Sequence, residues 1–262
     1  NVAIDKLVEA IVWTFRGNLF SVPTDCTSRD ERLGWTGNYG FGLPAAAQLF
    51  DLAGFSESWM RDVSAVQCDN NDAPPPFVPQ IKSVFPSGLA QAGWSDVATI
   101  VPSVLYRHYG SRPRLAEQYA GMQAWVERLR RESADGFWEA GRQLGDWLDP
   151  TSPPEHPEWS TTPTDFTSNA YFIWSLDMTA AAARELNRDA DAELYSELAG
   201  TLRSEFRERY VLADGSISVQ TQTALAVAIV FGLLDSDARA ASDLVGLVRQ
   251  GKYRIGTGLI GT

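Results

Sequence analysis

Apolar side chains recur at three- and four-residue spacing in nine stretches of this chain, while the alternation that builds strands is scarce. The first stretch reads Ile4, Leu7, Val8, Ile11 and Phe15 and stops near Gly17-Asn18. Further helices are expected at about 43–53, 56–67, 95–109, 113–132, 167–187, 189–209, 218–233 and 237–250. Helices of similar length, joined alternately by short turns and long loops, stack as antiparallel hairpins, so the expected fold is all-α. The plainer alternative is an irregular helical bundle. With 262 residues and 44% hydrophobic content, the chain can bury a sizeable core as one large domain or two small ones.

The remaining composition excludes several partners. A net charge of -11 provides no basic stripe to neutralise a phosphate backbone, so nucleic acid is not an expected ligand. No apolar run approaches the roughly 20 residues that cross a bilayer, so no membrane association is expected and the protein reads as soluble, either secreted or cytoplasmic. Cys26 and Cys68 are too few for a disulfide framework and lack zinc-site spacing. His108 and His156 have no ligand neighbours at helical spacing, and neither a metal nor a cofactor is expected. Two proline-rich loops, Asn70 to Pro79 and Leu148 to Pro163, do not resemble linkers between autonomous domains.

The stretch Leu19 to Phe41 breaks the helical pattern with Pro23, Gly34, Gly37, Gly40 and dense charge, and reads as a long ordered loop. Within it, Asp25, Arg29, Asp30, Glu31, Arg32 and Trp35 lie between glycine-rich turns. A solvated loop would favour Lys and Ser without Trp or Cys, although a surface ion-pair network is the bland alternative. A carboxyl flanked by Arg and Trp is a group whose position and proton affinity can be set by its neighbours. The chain has nine tryptophans, several beside Gly, Asp or Arg, as where ring faces meet the C–H faces of sugars.

The run Asp25-Cys26-Thr27-Ser28-Arg29-Asp30-Glu31-Arg32-Leu33-Gly34-Trp35-Thr36-Gly37-Asn38 resembles the signature of the α-L-rhamnosidases, glycoside hydrolase family 78, written Asp-Cys-Pro-x-Arg-Asp-Glu-Arg-x-Gly-Trp-x-Gly-Asp. Further segments match in order: Gly93-Trp94-Ser95-Asp96 with Ile100-Val101-Pro102, Tyr119 to Trp125, Gly145-Asp146-Trp147-Leu148, and Thr257 to Thr262. The resemblance covers essentially the whole chain. It implies a toroid of six helical hairpins, (α/α)6, that hydrolyses terminal α-L-rhamnosyl groups with inversion. Glu31 would be the general acid, protonating the departing oxygen while a carboxylate across the ring activates water. To hold a proton at the working pH, Glu31 would need burial or the nearby Asp25 and Asp30 to outweigh Arg29 and Arg32.

By the same resemblance Asp25 would accept hydrogen bonds from sugar hydroxyls and Arg29 would order the carboxylates. Trp35, Trp94 and Trp147 would wall the sugar pocket, with plain core packing the alternative for Trp94 and Trp147. Asp96 and Asp146 would support them, Asp146 alternatively as a helix cap. Asn38 stands where the family usually has Asp, which removes a charge at the substrate-facing end of the motif. Thr27-Ser28, Ser95 and Ser103 also depart from the pattern. Nine helices fall short of the twelve in six hairpins, and the family's general base lies on a helix beyond a segment like Thr257 to Thr262. Residues 1–262 are therefore expected to form one partial domain, its last helices and its base supplied by the missing C-terminal part of the polypeptide or by a second chain. Two other functions stay open: a polysaccharide lyase on the same scaffold, and a non-catalytic glycan-binding fragment.

Overall fold

A computed structural model of the chain describes residues 1–26, 30–81, 88–134 and 136–261. Among these residues are nine helices: α1 (Val2–Asn18), α2 (Thr36–Leu49), α3 (Ala53–Asp69), α4 (Val97–Tyr109), α5 (Arg112–Ser133), α6 (Thr164–Glu185), α7 (Asp189–Tyr210), α8 (Gln222–Val230) and α9 (Ala238–Gln250). The only β-pairing among the described residues is three isolated bridges, so the all-α expectation holds.

The chain divides into two compact parts, Asn1–Ala90 with Trp94–Trp125 and Gln91–Gly93 with Val126–Thr262. In the first, α2 and α3 both pack on α4, and Leu43, Trp59, Met60, Val63, Val97 and Val101 fill the space between them. Burial of this kind contributes about 1.5–3 kcal/mol for each large apolar side chain. Gln67, also buried, donates to the carbonyls of Asp72 and Gly121 at 2.9 Å, tying α3 to α5 without an orphaned amide nitrogen. In the second part α6 is buried nearly all round, through residues such as Phe166, Phe172, Ile173 and Leu176. It forms a hairpin with α7 and also packs on α8, which pairs with α9.

Two helices keep uncovered apolar faces. On α1 no residue is buried, and Val2, Ile4, Leu7, Val8 and Trp13 are exposed. On α9 only Ala240 is buried, while Val245 is exposed. Apolar helix faces of this kind commonly mark surfaces that pack against something else.

The clearest departure from the sequence reading is α2, which begins at Thr36 and not near residue 43. Gly37, Gly40 and Gly42 look like helix breakers, yet here they are small residues that let neighbours approach. A Cβ built at Gly37 would lie 2.9 Å from the Trp94 pyrrole atoms, whereas one at Gly40 would meet Ile100 at an ordinary 3.7 Å. Tertiary packing overrides the propensity of glycine at this helix start.

The two glycines are therefore expected to respond oppositely to alanine. Gly37→Ala should destabilise by about 1–3 kcal/mol through overpacking against Trp94, and Gly40→Ala should be neutral or stabilise by up to about 1 kcal/mol through helix propensity. Chemical denaturation of the two variants checks this, and equal effects would contradict the packing account.

Candidate active site

The charged motif is built as a loop with both ends tied down. The Thr24 N–H donates to the Asn18 carbonyl at 2.8 Å, and the Asp25 N–H donates to the Leu33 carbonyl at 2.9 Å, closing the loop on itself. Cys26 and Arg32 both have left-handed backbone, with φ of 56° and 52°. Non-glycine residues there cost roughly 1–3 kcal/mol each, strain that a functional turn commonly carries.

The next residues run alongside a buried stretch, Ala73 to Val78. Val78 N–H donates to the Gly34 carbonyl at 2.9 Å, Thr36 N–H to Pro76 at 2.9 Å, and the Thr36 hydroxyl to Pro76 at 3.0 Å. A Cβ at Gly34 would sit 2.3 Å from the Val78 carbonyl oxygen, so the approach needs glycine. Proline has no N–H, so a proline run leaves carbonyls free to accept. Sequence reading takes Asn70 to Pro79 as a plain turn segment. Its three consecutive prolines, with Thr36 across from them, are the signal that it is a strap.

On this support Trp35 sits half-buried, its ring edge-on to Phe77 at 5.1 Å. Its indole N–H donates to a Glu31 carboxylate oxygen. Asp25 accepts from the Cys26 N–H at 2.8 Å and from the Cys26 thiol at 3.2 Å. One atom each from Asp25, Cys26 and Glu31 lies within 4.8 Å of the others, all three half-buried. The structure therefore brings Glu31, Asp25 and Trp35 together and adds Cys26, which sequence reading passes over although it is part of the motif. Two carboxylates and a thiol fall short of the four ligands of a closed zinc site. Asp30 and Arg32 face solvent and pair with each other at 3.8 Å. Arg29 lies outside the described residues. Asn38 is half-buried in the first turn of α2.

Trp94 takes the core-packing alternative to a sugar-facing wall, and Asp96 takes the supporting place expected for it. Trp94 is 2% exposed and its ring lies over Gly37, so it is packed against α2 and offers no face to a sugar. Asp96 is fully buried and accepts from the Trp125 indole N–H at 2.8 Å. Both belong to the support of the motif, Trp94 by its packing, with its indole nitrogen buried without a hydrogen-bond partner, and Asp96 by its bond to Trp125. Ser95 assists by donating its hydroxyl to the Pro74 carbonyl at 2.7 Å.

In the second part Asp146 is neither exposed nor a helix cap. Its carboxylate accepts from Gly258 N–H at 2.9 Å, Ile260 N–H at 3.0 Å, Gly261 N–H at 3.2 Å and the Thr223 hydroxyl. Leu259 N–H donates to the Trp147 carbonyl at 2.8 Å. A Cβ at Gly258 would lie 2.3 Å from the Asp146 carbonyl oxygen, so this contact too requires glycine. The glycine-rich segment is thus moulded around Asp146, and Trp147 is left half-exposed on the turn it stabilises.

The described residues thus form helical hairpins with a carboxylate pair on a pinned loop. The family described as the bacterial alpha-L-rhamnosidase 6 hairpin glycosidase domain matches residues 1–262, and the chain belongs to it. An α-L-rhamnosidase of Streptomyces avermitilis is 35% identical over 99% of this chain, which spans 24% of that relative's length. The crystal structure of a native α-L-rhamnosidase from Aspergillus terreus superposes with a TM-score of 0.94 at 36% identity, over 100% of this chain and 31% of the other. A Streptomyces avermitilis α-L-rhamnosidase solved in complex with L-rhamnose superposes at 0.86 and 33% identity, over 99% and 24%. The chain therefore has the six-hairpin helical fold expected from its motifs. Among the described residues no helix is long and apolar enough to cross a membrane.

Removing the charge of Asp146 is expected to release the segment it organises. Asp146→Asn turns an NH2 toward backbone donors and should cost about 2–4 kcal/mol, against roughly 1 kcal/mol for Thr223→Val, which removes one donor. Thermal unfolding of the full-length protein, with limited proteolysis around 252–257, checks the ranking, and a loss for Asp146→Asn no larger than for Thr223→Val would refute it.

Proposed function

We propose that this chain carries the acid-bearing part of an α-L-rhamnosidase, an inverting glycoside hydrolase that releases terminal α-L-rhamnose from glycosides or polysaccharide. The observation that carries the reading is Glu31, held by the Trp35 indole N–H beside Asp25 on a loop pinned at both ends. In this mechanism Glu31 gives its proton to the glycosidic oxygen as the C1–O bond breaks. Water attacks C1 from the opposite face, losing a proton to a carboxylate base. Trp35 fixes the direction of the Glu31 carboxyl and presents the edge of its ring to the sugar. Asp25 and Arg29 bind hydroxyls, Asn38 supplies a neutral hydrogen-bonding group, and Trp147 provides an apolar wall for the C6 methyl.

The base is a different residue from Asp25. Inverting pairs stand about 6.5–9.5 Å apart to admit both sugar and water, and the Asp25 and Glu31 atoms lie within 4.8 Å. In our reading residues 1–262 are one six-hairpin domain short of its last helices, and the base comes from the remainder of the polypeptide. Support for this comes from the 24% of a relative's length that the chain spans and from the uncovered apolar faces of α1 and α9. The partner is then a rhamnose-bearing glycan, bound without a cofactor.

In the full-length protein, Glu31→Gln should lower turnover of a natural rhamnoside by about 10²–10⁴-fold, and by less for an activated leaving group that needs little protonation. Turnover within about threefold of wild type would remove Glu31 from the acid role and make Asp25 the next candidate. Asn38→Asp restores a charged acceptor and should lower KM for rhamnosides by about 3- to 10-fold, since a charged hydrogen bond is worth roughly 1 kcal/mol more than a neutral one. An unchanged KM would place Asn38 away from the sugar.

A further inference from the structure

We propose that Cys26 is a positioning residue of the sugar site, its thiol and backbone N–H together fixing the plane in which the Asp25 carboxylate receives sugar hydroxyls. The proposal deepens the rhamnosidase reading above and rests on it, in particular on the place of Asp25. Cys26 donates twice to its neighbour, the N–H to one Asp25 oxygen at 2.8 Å and the thiol to the other at 3.2 Å. Among the described residues Cys26 supplies both of the bonds that the Asp25 side chain accepts.

An aspartate carboxylate needs a fixture of this kind. Rotation about its χ2 torsion is broad and roughly two-fold, unlike the staggered torsions of an aliphatic chain. A single bond would leave the group free to swing about the bonded oxygen, whereas one bond to each oxygen sets the plane. The backbone carries a cost for the residue that makes these bonds. Cys26 is left-handed, with φ of 56°, a conformation that glycine adopts freely and other residues only with strain. Glycine would relieve the strain but would bring no thiol.

The fixture stands beside the acid. Asp25 is anchored through its own N–H to the Leu33 carbonyl at 2.9 Å. One atom each from Asp25, Cys26 and Glu31 lies within 4.8 Å of the others, and the Trp35 indole holds Glu31 in turn. An ionised carboxylate offers about four acceptor positions, two on each oxygen. Cys26 takes one on each, so each oxygen keeps one for a ligand. Two neighbouring hydroxyls of a pyranose suit such a carboxylate, and charge-assisted bonds of this type reward a fixed geometry. A role for the thiol as nucleophile has no place in an inverting hydrolysis, in which water attacks the sugar directly and no glycosyl-enzyme forms.

The test uses the full-length protein and an aryl α-L-rhamnoside, whose activated leaving group keeps turnover measurable. Cys26→Ala should raise KM by about 3- to 10-fold and lower kcat by less than about threefold, the range for loosening one charge-assisted contact to substrate. Cys26→Ser, which restores a donor, should recover part of the KM loss even if the alanine variant folds poorly. In an Asp25→Ala background the same Cys26→Ala change should alter kcat/KM by less than about twofold, because the acceptor is gone. An unchanged KM in Cys26→Ala, or a serine variant no better than the alanine one, overturns the proposal. A loss of full size with Asp25 already removed also overturns it and makes Cys26 a packing residue, and a loss confined to kcat overturns it in favour of an action on Glu31. All of these outcomes leave the rhamnosidase reading standing. If the wild-type protein does not cleave the rhamnoside, that reading itself fails, and the role of Cys26 with it.

Discussion

The first part of the molecule depends on a buried run of carbonyls. Ala73 to Val78 is irregular chain held in the interior, where every unpaired polar group costs free energy. Three prolines solve half of the problem by carrying no N–H to satisfy. Their carbonyls then take the hydroxyls of Thr36 and Ser95, and the Val78 carbonyl takes the Trp59 indole at 3.3 Å. The strap thereby joins the start of α2, the turn before α4 and the body of α3. The direction in which Glu31 and Trp35 point follows from it, because Gly34 and Thr36 on either side of Trp35 are bonded to the strap.

The second part meets the same requirement with the complementary group. Around Asp146 the surplus is of donors, since a glycine-rich segment turning sharply leaves N–H groups without carbonyl partners. A buried carboxylate satisfies three of them together with the Thr223 hydroxyl. Such a charge is tolerable in the interior because its oxygens are saturated with donors. The turn that results presents Trp147. In both parts a polar requirement met in the interior sets what an aromatic ring shows at the surface.

Tryptophan separates what composition can say from what packing decides. Its abundance suggested ring faces for a ligand, yet Trp59, Trp94, Trp125 and Trp138 are all buried. Their neighbours in sequence do not distinguish them: Trp94 follows Gly93 and precedes Ser95 and Asp96, much as Trp147 follows Gly145 and Asp146. What differs is which side of the backbone faces the next helix, and Gly37 makes room for Trp94 from a position far away in the chain.

The sequence by itself determined the helical class, because a periodicity near 3.6 residues is a local property carried by each segment whatever surrounds it. It also determined the family and the motif holding Glu31, since residue types at fixed spacing along one loop survive without knowledge of the fold. The start of α2 at Thr36, the burial of Trp94 and Asp96 and the strap at Pro74 to Pro76 were decided only by the tertiary structure. Each depends on a hydrogen bond or van der Waals contact made across space or across a loop turn, and one-dimensional spacing carries no record of which residues a fold brings within 4 Å.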